Sequence, residues 1–285
     1  MLITVASGKG GTGKTLVATS MALSLRDKER VQVIDCDVEE PNAHILLKPM
    51  FNHQQKVTIP VPEVDDEKCT YCGKCAQVCA FNAIAVLGNH VLVFPELCHG
   101  CGACTYICPE DAISEIDRET GIIEFGESTG IDFVHGKLAV GEAMAVPVIR
   151  EVKKHINRER LVIGDVPPGT SCPVVESVKG SDFCLLVTEP TPFGLNDLAL
   201  TVEMLGQLDI PCGVIINRDG VGDSRVEEYC YQKGVPILLR IPLDMKIAQL
   251  YSRGIALVEG MPQWQEAFVR LYNDIERIVR EGKPQ

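Results

Sequence analysis

The chain has 285 residues, and its 27 basic against 39 acidic side chains give it a net charge of −12. This excess of negative charge disfavours binding to nucleic acid or to an anionic membrane, because both carry charge of the same sign. No segment approaches the roughly 18 apolar residues of a membrane span, and the N-terminal residues lack the pattern of a secretory leader. We therefore expect a cytoplasmic protein with no stable membrane association and no nucleic-acid partner.

The first elements form a strand, a glycine-rich loop, a helix and a second strand. Leu2 to Ala6 is a short apolar run rich in β-branched residues, and apolar residues recur at helical spacing from Lys14 to Arg26. A second apolar run, Val31 to Ile34, closes on two aspartates that flank Cys36. This β-loop-α-β order is typical of an α/β nucleotide-binding fold.

The glycine-rich loop fits the pattern G-x-x-x-x-G-K-[ST]. In this pattern the backbone N–H groups surround a phosphate, Lys14 neutralises the β- and γ-phosphate oxygens, and the Thr15 hydroxyl ligates Mg²⁺. The residues predicted to contact ATP or ADP here are Gly8, Gly10, Gly11, Thr12, Gly13, Lys14 and Thr15. Asp37 lies at the end of the second strand, where it would orient the attacking water; its alternative role is that of a cap or turn residue.

The next segment contains eight of the thirteen cysteines within 40 residues. Free thiols in a reducing compartment are available as metal ligands. Two runs of C-x-x-C-x-x-C-x-x-x-C follow each other, a pattern typical of a bacterial ferredoxin with two 4Fe-4S clusters. In such a module the fourth cysteine of each run ligates the other cluster. Cluster one is predicted to take Cys69, Cys72, Cys75 and Cys108, and cluster two is predicted to take Cys98, Cys101, Cys104 and Cys79.

For this cysteine-rich segment, two alternatives to a pair of electron-transferring clusters remain. Paired C-x-x-C units also form zinc sites, although two ordinary zinc ribbons do not need the additional cysteines of each run. The clusters could also serve only to stabilise a domain too small for a core. Residues 59–117 are thus predicted to form a small α+β ferredoxin domain, inserted into a larger α/β domain made of residues 1–58 and 118–285.

The α/β pattern resumes after the insert. Four apolar strands are predicted at 161–165, 183–187, 212–216 and 237–241, with helices at about 194–208, 223–233 and 244–253. Continuous apolar strands that alternate with helices favour a mostly parallel sheet covered by helices on both faces. Asp165 ends the first of these strands, where a carboxylate would hold a Mg²⁺-bound water or serve as a turn residue. A last helix, 262–281, has an apolar stripe that either packs on the sheet or seeks a membrane.

The phosphate loop contains an additional lysine, Lys9, and the form K-G-G-x-G-K-T resembles the MinD, ParA, Mrp and nitrogenase iron-protein superfamily of ATPases. The segments Asp35 to Asp37, Asp165 to Thr170, Thr188 to Gly194 and Ile215 to Arg218 are similar to that superfamily as well. The resemblance implies a slow ATPase that depends on dimerisation, in which Lys9 crosses the interface to the partner's ATP. It also implies that Asn217 contacts the adenine base, with Arg218 beside it in the nucleotide-binding segment. The alternative for Lys9 is an ordinary exposed lysine.

Cys172 follows Asp165 by seven residues, in the loop expected to sense the γ-phosphate. The nitrogenase iron protein is similar here, since it has a cluster-ligating cysteine at the corresponding distance. Two copies of Cys172 near a two-fold axis would hold a metal or cluster, but no second cysteine is found around residues 136–146. Cys172 is therefore either a transient metal or cluster ligand or a buried thiol.

The whole chain resembles superfamily members that carry a ferredoxin insert. The resemblance implies a nucleotide-switched factor for assembling or transferring iron–sulfur or other metal cofactors. The second hypothesis is an ATP-gated reductase that delivers low-potential electrons, and the third is spatial positioning on DNA or membrane, which the net charge disfavours. The expected partners are a second subunit, as a homodimer or a heterodimer with a paralogue, and a metallocofactor carrier or redox acceptor protein.

Overall fold

The computed structural model describes residues 1–282, most of which surround one nine-stranded sheet. The strands are β1 (Leu2–Ala6), β2 (Val31–Asp35), β3 (Met50–Val64), β4 (Ile84–Leu87), β5 (His90–Val93), β6 (Ile113–Ser128), β7 (Ile131–Leu138), β8 (Leu161–Asp165), β9 (Phe183–Thr188), β10 (Cys212–Asp219) and β11 (Ile237–Pro242). The helices are α1 (Lys14–Leu25), α2 (Ala43–Leu47), α3 (Lys74–Val78), α4 (Ala103–Ile107), α5 (Val146–Lys154), α6 (Cys172–Val178), α7 (Pro192–Gln207), α8 (Arg225–Lys233), α9 (Met245–Ser252), α10 (Leu257–Gly260) and α11 (Gln265–Glu281).

The strand order across the sheet is β11-β10-β9-β1-β8-β2-β7-β6-β3. Neighbouring strands from β11 to β7 are parallel, whereas β6 pairs antiparallel with both β7 and β3. The prediction of a mostly parallel α/β sheet is confirmed. The sequence pattern does not predict the antiparallel extension made by β3, β6 and β7.

Helices cover both faces of the sheet, which explains the uninterrupted apolar strands. Ile3 and Val5 of β1 point to one face and pack in a core with residues of α1, α10 and α11. Leu2 of β1 and Ile34 of β2 point to the other face and pack with residues of α5. Because side chains alternate between the two faces of a strand, both faces of the inner strands must be apolar.

The last helix, α11, packs on the sheet. Phe268, Leu271 and Ile275 are buried in the same core as β1 and α1. The packing alternative for its apolar stripe is thus confirmed. Across residues 1–282, none of the helices has both the length and the apolar character that crossing a membrane requires.

The topology brings the ends of three strands together beside the glycine-rich loop. In the parallel register, Asp35 of β2 lies opposite Asp165 of β8, and Val5 of β1 lies on the other side of Asp165. The N–H of Cys36 donates to the carbonyl oxygen of Asp165 at 2.8 Å. Ligands of open α/β sheets bind outside this carboxyl edge of the strands.

Two long strands, β3 and β6, connect the sheet to the cysteine-rich segment. They pair antiparallel from Met50 opposite Glu127 to Val64 opposite Ile113, with register shifts between Phe51 and His53 and between Val57 and Thr58. Residues 65–112 lie beyond their far ends and contain α3, the β4–β5 hairpin and α4. The predicted domain boundaries at 59 and 117 fall inside these two strands, and the division into domains stays a prediction.

Candidate functional site

The glycine-rich loop lies between β1 and α1, as its sequence predicts. Gly11 and Gly13 have φ angles of +76° and +99°, a region that side chains other than glycine rarely adopt. A methyl group added to Gly10 or Gly11 would meet no protein atom within 4 Å, so this side of the loop is open. Lys14 and Thr15 are buried at the first turn of α1. The loop therefore presents backbone N–H groups and one cation to an open space that suits a phosphate.

Thr15 and Asp165 form a pair that suits a magnesium ion. The Thr15 hydroxyl donates to Asp165 Oδ2 at 2.6 Å, and the Asp165 side chain is buried. Asp165 Oδ1 is also buried and has no hydrogen-bond partner within the described residues. Burial raises the pKa of Asp165, while the Thr15 hydrogen bond and the charge of Lys14 oppose the rise. An unpaired buried carboxylate oxygen beside a threonine hydroxyl matches the oxygen ligands that Mg²⁺ prefers.

Asp37 and Asp35 have different environments. Asp37 is partly buried, and burial raises its pKa against the opposing charge of Lys14. Asp35 is fully buried and accepts hydrogen bonds from the N–H groups of Asp37, Asn42 and Ala43 at 3.0–3.2 Å. Asp35 thus holds the loop that presents Asp37. Asp35 was not predicted to have a separate role, although its position at the end of a buried strand indicates one.

The largest part of the site is an open cavity of about 1070 Å³. Its lining includes Lys14, Thr15 and Asp37 on one side, with Asn217 and Arg218 from β10 on another. The Asn217 amide donates to the carbonyl oxygen of Thr12 at 2.7 Å, which joins β10 to the phosphate loop. The β11–α9 part of the wall was not predicted from the sequence; its lining residues are Pro242, Leu243, Asp244, Ile247, Ala248 and Tyr251.

Lys9 and Cys172 do not line this cavity. Lys9 Nζ lies 3.1 Å from Glu189 Oε2, and Arg218 Nη1 lies 2.7 Å from Glu189 Oε1. The Glu189 side chain is 8% exposed, whereas that of Lys9 is 35% exposed. Cys172 is exposed at the first residue of α6, so the alternative of a buried thiol is wrong.

The eight clustered cysteines are divided between two cavities. One cavity, of about 360 Å³, is lined by Cys69, Cys72, Cys75 and Cys108. The other, of about 400 Å³, is lined by Cys79, Cys98, Cys101 and Cys104. These groupings coincide with the two ligand sets predicted from the sequence. Within residues 1–282, no three His, Cys, Asp or Glu side chains are arranged to hold a single metal ion.

The two cysteine-lined cavities have similar local geometry. The Ala83 N–H donates to Cys79 Sγ at 3.3 Å, and the Ala112 N–H donates to Cys108 Sγ at 3.3 Å. Gly73 and Gly102 follow the second cysteine of each run, with φ angles of +77° and +71°. Hydrogen bonds to sulfur stabilise a thiolate ligand, so the fourth cysteine of each run is prepared for this role.

The β7–α5 loop, residues 139–145, contacts both kinds of site. Immediately before the loop, the N–H of Leu138, the last residue of β7, donates at 2.8 Å to the carbonyl oxygen of Val38, which follows Asp37. Near its end, Met144 packs against a small core that includes Ile59, Ala83 and Cys98. An ion pair between Arg118 of β6 and Glu142 fixes the middle of the loop. The loop thus joins the nucleotide-side aspartate segment to the wall of the second cysteine-lined cavity.

Comparison with known proteins agrees with this geometry. The family described as the CobQ/CobB/MinD/ParA nucleotide binding domain matches residues 3–258. The uncharacterized protein MJ0578 of Methanocaldococcus jannaschii is 33% identical over 286 residues, covering 98% of each chain. An iron-sulfur cluster carrier protein of Pyrococcus abyssi is 23% identical over 99% of this chain and 87% of its own.

Among solved structures, the septum site-determining protein MinD of Pyrococcus horikoshii, complexed with Mg-ADP, has a similar fold. Its TM-score is 0.61 at 18% identity, with 98% of this chain and 96% of that chain covered. At this identity the likeness concerns the fold alone, and it agrees with the sheet described above. On the family match and the 33% identical relative, this chain belongs to the CobQ/CobB/MinD/ParA family of nucleotide-binding domains.

Proposed function

We propose that this protein binds and hydrolyses ATP and uses the nucleotide to control the assembly or transfer of iron–sulfur or other metal cofactors. The observation that carries the proposal is the β7–α5 loop, which contacts the segment after Asp37 and the wall of a cysteine-lined cavity. A nucleotide-driven movement at one end would therefore reach the other. The names of more distant relatives, such as the iron-sulfur cluster carrier protein of Pyrococcus abyssi, favour a role in cluster handling.

The residues around the open cavity would perform hydrolysis. Lys14 neutralises the β- and γ-phosphate oxygens, and Thr15 together with Asp165 would hold Mg²⁺. Bound there, the ion neutralises charge that develops on the phosphate oxygens. Asp37 orients the attacking water, while Asp35 fixes the loop that presents it. Asn217 and Arg218, with the β11–α9 wall, hold the base and ribose end of the nucleotide.

A second subunit completes the proposed ATPase. Lys9 is bound to Glu189 and lies outside the lining of its own chain's cavity, and its proposed role is at the ATP of a partner. Positive charge that arrives only on association stabilises the transferring phosphoryl group and makes hydrolysis depend on dimerisation. The partner is a second copy of the chain or a paralogue, and a carrier or acceptor protein receives the cofactor or electrons.

Each cysteine-lined cavity would hold one 4Fe-4S cluster. The ligands are Cys69, Cys72, Cys75 and Cys108 in the first cavity, and Cys79, Cys98, Cys101 and Cys104 in the second. Four thiols spread around a cavity fit a cubane, whereas zinc needs four ligands that converge to about 2.3 Å from one ion. Such clusters supply one-electron transfer or serve as cargo.

An ATP-gated reductase is the second candidate function. Two complete cysteine sets favour it, because clusters with four protein ligands each are suited to remain bound during electron transfer. Cys172 favours the assembly function instead. It is exposed beside the phosphate-sensing segment and belongs to neither cysteine set, so it is available as a further, exchangeable ligand.

The test is to purify the chain anaerobically and measure iron, acid-labile sulfide and the EPR spectrum with ADP and with a non-hydrolysable ATP analogue. Cys172→Ala is compared with Cys212→Ala, a control thiol in β10. Under the assembly function, iron exceeds about eight per chain, and the excess is lost in Cys172→Ala or moves to an apo-ferredoxin when ATP is added. About eight irons that depend on neither Cys172 nor nucleotide would contradict assembly and favour the reductase.

A further inference from the structure

Glu189 is a buried carboxylate placed between two cations next to the phosphate loop. Its two oxygens lie 3.1 Å from Lys9 Nζ and 2.7 Å from Arg218 Nη1. With only 8% of its side chain exposed, Glu189 is far more buried than the partners of most ion pairs in this chain. A buried carboxylate that lost its cations would be strongly destabilised, so at least one of them must remain.

The carboxylate is not needed to shape its own segment. The Thr191 N–H donates to the backbone carbonyl of Glu189 at 2.8 Å. The Thr191 hydroxyl accepts from the Gly194 N–H at 3.0 Å and caps α7. Backbone and threonine groups therefore hold this turn, and the Glu189 side chain is left to bind Lys9 and Arg218.

Of the two cations, Arg218 is the fixed one and Lys9 is the one able to leave. The guanidinium of Arg218, although 51% exposed, has a second partner, because its Nη2 donates to the carbonyl oxygen of Gly11 at 3.4 Å. The Lys9 ammonium has one charged partner, Glu189, and lies at the end of a flexible four-carbon side chain. When Lys9 leaves, Arg218 still compensates the charge of Glu189, so the exchange leaves no unpaired buried charge.

We infer that Glu189 is a positioning residue that retains Lys9 within its own subunit until the ATP of a partner subunit takes it. This inference rests on the proposed dimer-dependent hydrolysis. A γ-phosphate offers more negative charge than one carboxylate, and its charge-assisted hydrogen bonds are strong. ADP lacks that group, so Lys9 stays on Glu189 and the dimer does not form. Glu189 thereby raises the protein concentration needed for dimerisation, because the Lys9–Glu189 ion pair of each subunit must break before the dimer forms.

The test is to measure ATP hydrolysis per subunit over a range of protein concentrations for Glu189→Gln, which keeps the shape and removes the charge. We expect half-maximal activity at about three- to tenfold lower protein concentration than in the wild type, since a partly exposed ion pair is lost in each subunit. The KM for ATP and the maximal rate should stay within about twofold. Glu189→Asp, which keeps the carboxylate, should stay near the wild type, and so should Glu276→Gln, a matched change in an α11 ion pair.

The outcomes separate this inference from the proposed function. If the wild-type rate per subunit does not change with protein concentration, dimer-dependent hydrolysis itself is wrong. If Lys9→Ala leaves both the rate and its concentration dependence unchanged, the proposed role of Lys9 at the partner's ATP is wrong. If Lys9→Ala abolishes hydrolysis while Glu189→Gln behaves like the wild type, only the retention of Lys9 is wrong. A Glu189→Gln variant as inactive as Lys9→Ala, with unchanged thermal unfolding and analogue affinity, would also overturn retention. It would mean that Glu189 orients Lys9 in the closed dimer.

Discussion

At the residue scale, the two aspartates at the end of β2, Asp35 and Asp37, have different roles. Asp35 is fully buried, and its three backbone hydrogen bonds are directed to the loop that follows. Burial raises the pKa of Asp35, and the nearby charge of Asp165 adds to the rise. Asp37 instead lines the open cavity near Lys14. The first aspartate therefore shapes the loop, and the second is the one placed to meet a water molecule.

We expect Asp37→Ala to bind a non-hydrolysable ATP analogue within about threefold of the wild type but to hydrolyse ATP about 10²–10³ times more slowly, because the water is no longer oriented. Asp35→Ala should also slow hydrolysis, but through a looser loop. Calorimetry gives the affinity, a single-turnover assay gives the rate, and hydrogen exchange gives the protection of the Asn42 and Ala43 amides.

Protection at Asn42 and Ala43 separates the two variants. It should fall in Asp35→Ala and stay unchanged in Asp37→Ala, since only Asp35 accepts hydrogen bonds from these amides. An Asp37→Ala variant that still hydrolyses ATP at the wild-type rate would remove Asp37 from the mechanism.

Double substitutions of the cysteines test the crossed ligation. Cys69→Ser with Cys108→Ser affects one predicted cluster, so the loss of iron should be about four per chain, the same as for Cys69→Ser alone. Cys69→Ser with Cys79→Ser affects both clusters, so about eight irons should be lost. Iron and sulfide analysis of anaerobically purified variants measures the difference.

If each run of cysteines held its own cluster, the two double variants would give the reverse result. Cys69→Ser with Cys79→Ser would then lose about four irons and Cys69→Ser with Cys108→Ser about eight. Cys184→Ala, a buried thiol of β9, serves as the control for thiol removal elsewhere in the chain.

The sequence motifs located the residues whose roles follow from neighbours along the chain. Lys14 and Thr15 are fixed by the glycine pattern and the helix that follows it. Glu189 has no such pattern, because its role depends on Lys9 and Arg218, which are 180 and 29 positions away in the sequence. Its surroundings become visible only when β1, β9 and β10 are placed side by side.

At the element scale, strands buried on both faces were predictable and the antiparallel extension was not. The runs in β1, β2, β8 and β9 are short, apolar and bounded by turns. In contrast, β3 contains Pro60 and Pro62, which normally argue against a strand. They are tolerated because β3 is the edge strand of the sheet, so it pairs only with β6. The strand β6 is interrupted by charged residues, since much of it is partly exposed.

Because the β7–α5 loop lies between the Asp37 segment and the second cysteine-lined cavity, we expect the bound nucleotide to alter the environment of that cavity. In the protein with its clusters, the ATP analogue should shift the midpoint potential of one cluster relative to ADP, because solvent exposure and hydrogen bonds to sulfur set the potential. A coupling of about 1 kcal/mol corresponds to roughly 40 mV for a one-electron centre. We expect Met144→Ala to reduce this shift by at least half in an EPR-monitored redox titration.

Iron content and analogue affinity should be unchanged in Met144→Ala, which distinguishes lost coupling from a damaged site. Met50→Ala is the matched control, since Met50 is 80% exposed at the start of β3. A nucleotide-dependent shift of equal size in Met144→Ala and the wild type would mean that this loop does not transmit the change.

At the scale of the whole molecule, the net charge of −12 predicts that the protein does not bind polyanions such as DNA or an anionic membrane. With ATP or ADP, we expect no co-sedimentation with phosphatidylglycerol vesicles and no shift of double-stranded DNA at about 0.1 M salt, where charge attraction would still be measurable. Binding that weakens as salt rises would instead support spatial positioning on DNA or membrane. Neutral phosphatidylcholine vesicles serve as the control.

The paired strands β3 and β6 continue from the main sheet to the cysteine-rich segment without an intervening linker. Their length therefore acts as a spacer between that segment and the sheet. Removing two residues from each strand would shorten it by about 7 Å and keep every side chain on its original face. Removing one from each would turn the cysteine-rich segment to the opposite face. The distance between the cysteine-rich segment and the sheet can therefore change without a change of orientation only if each strand gains or loses an even number of residues. Proteins of this architecture with longer or shorter spacers should thus differ by even numbers of residues in both strands.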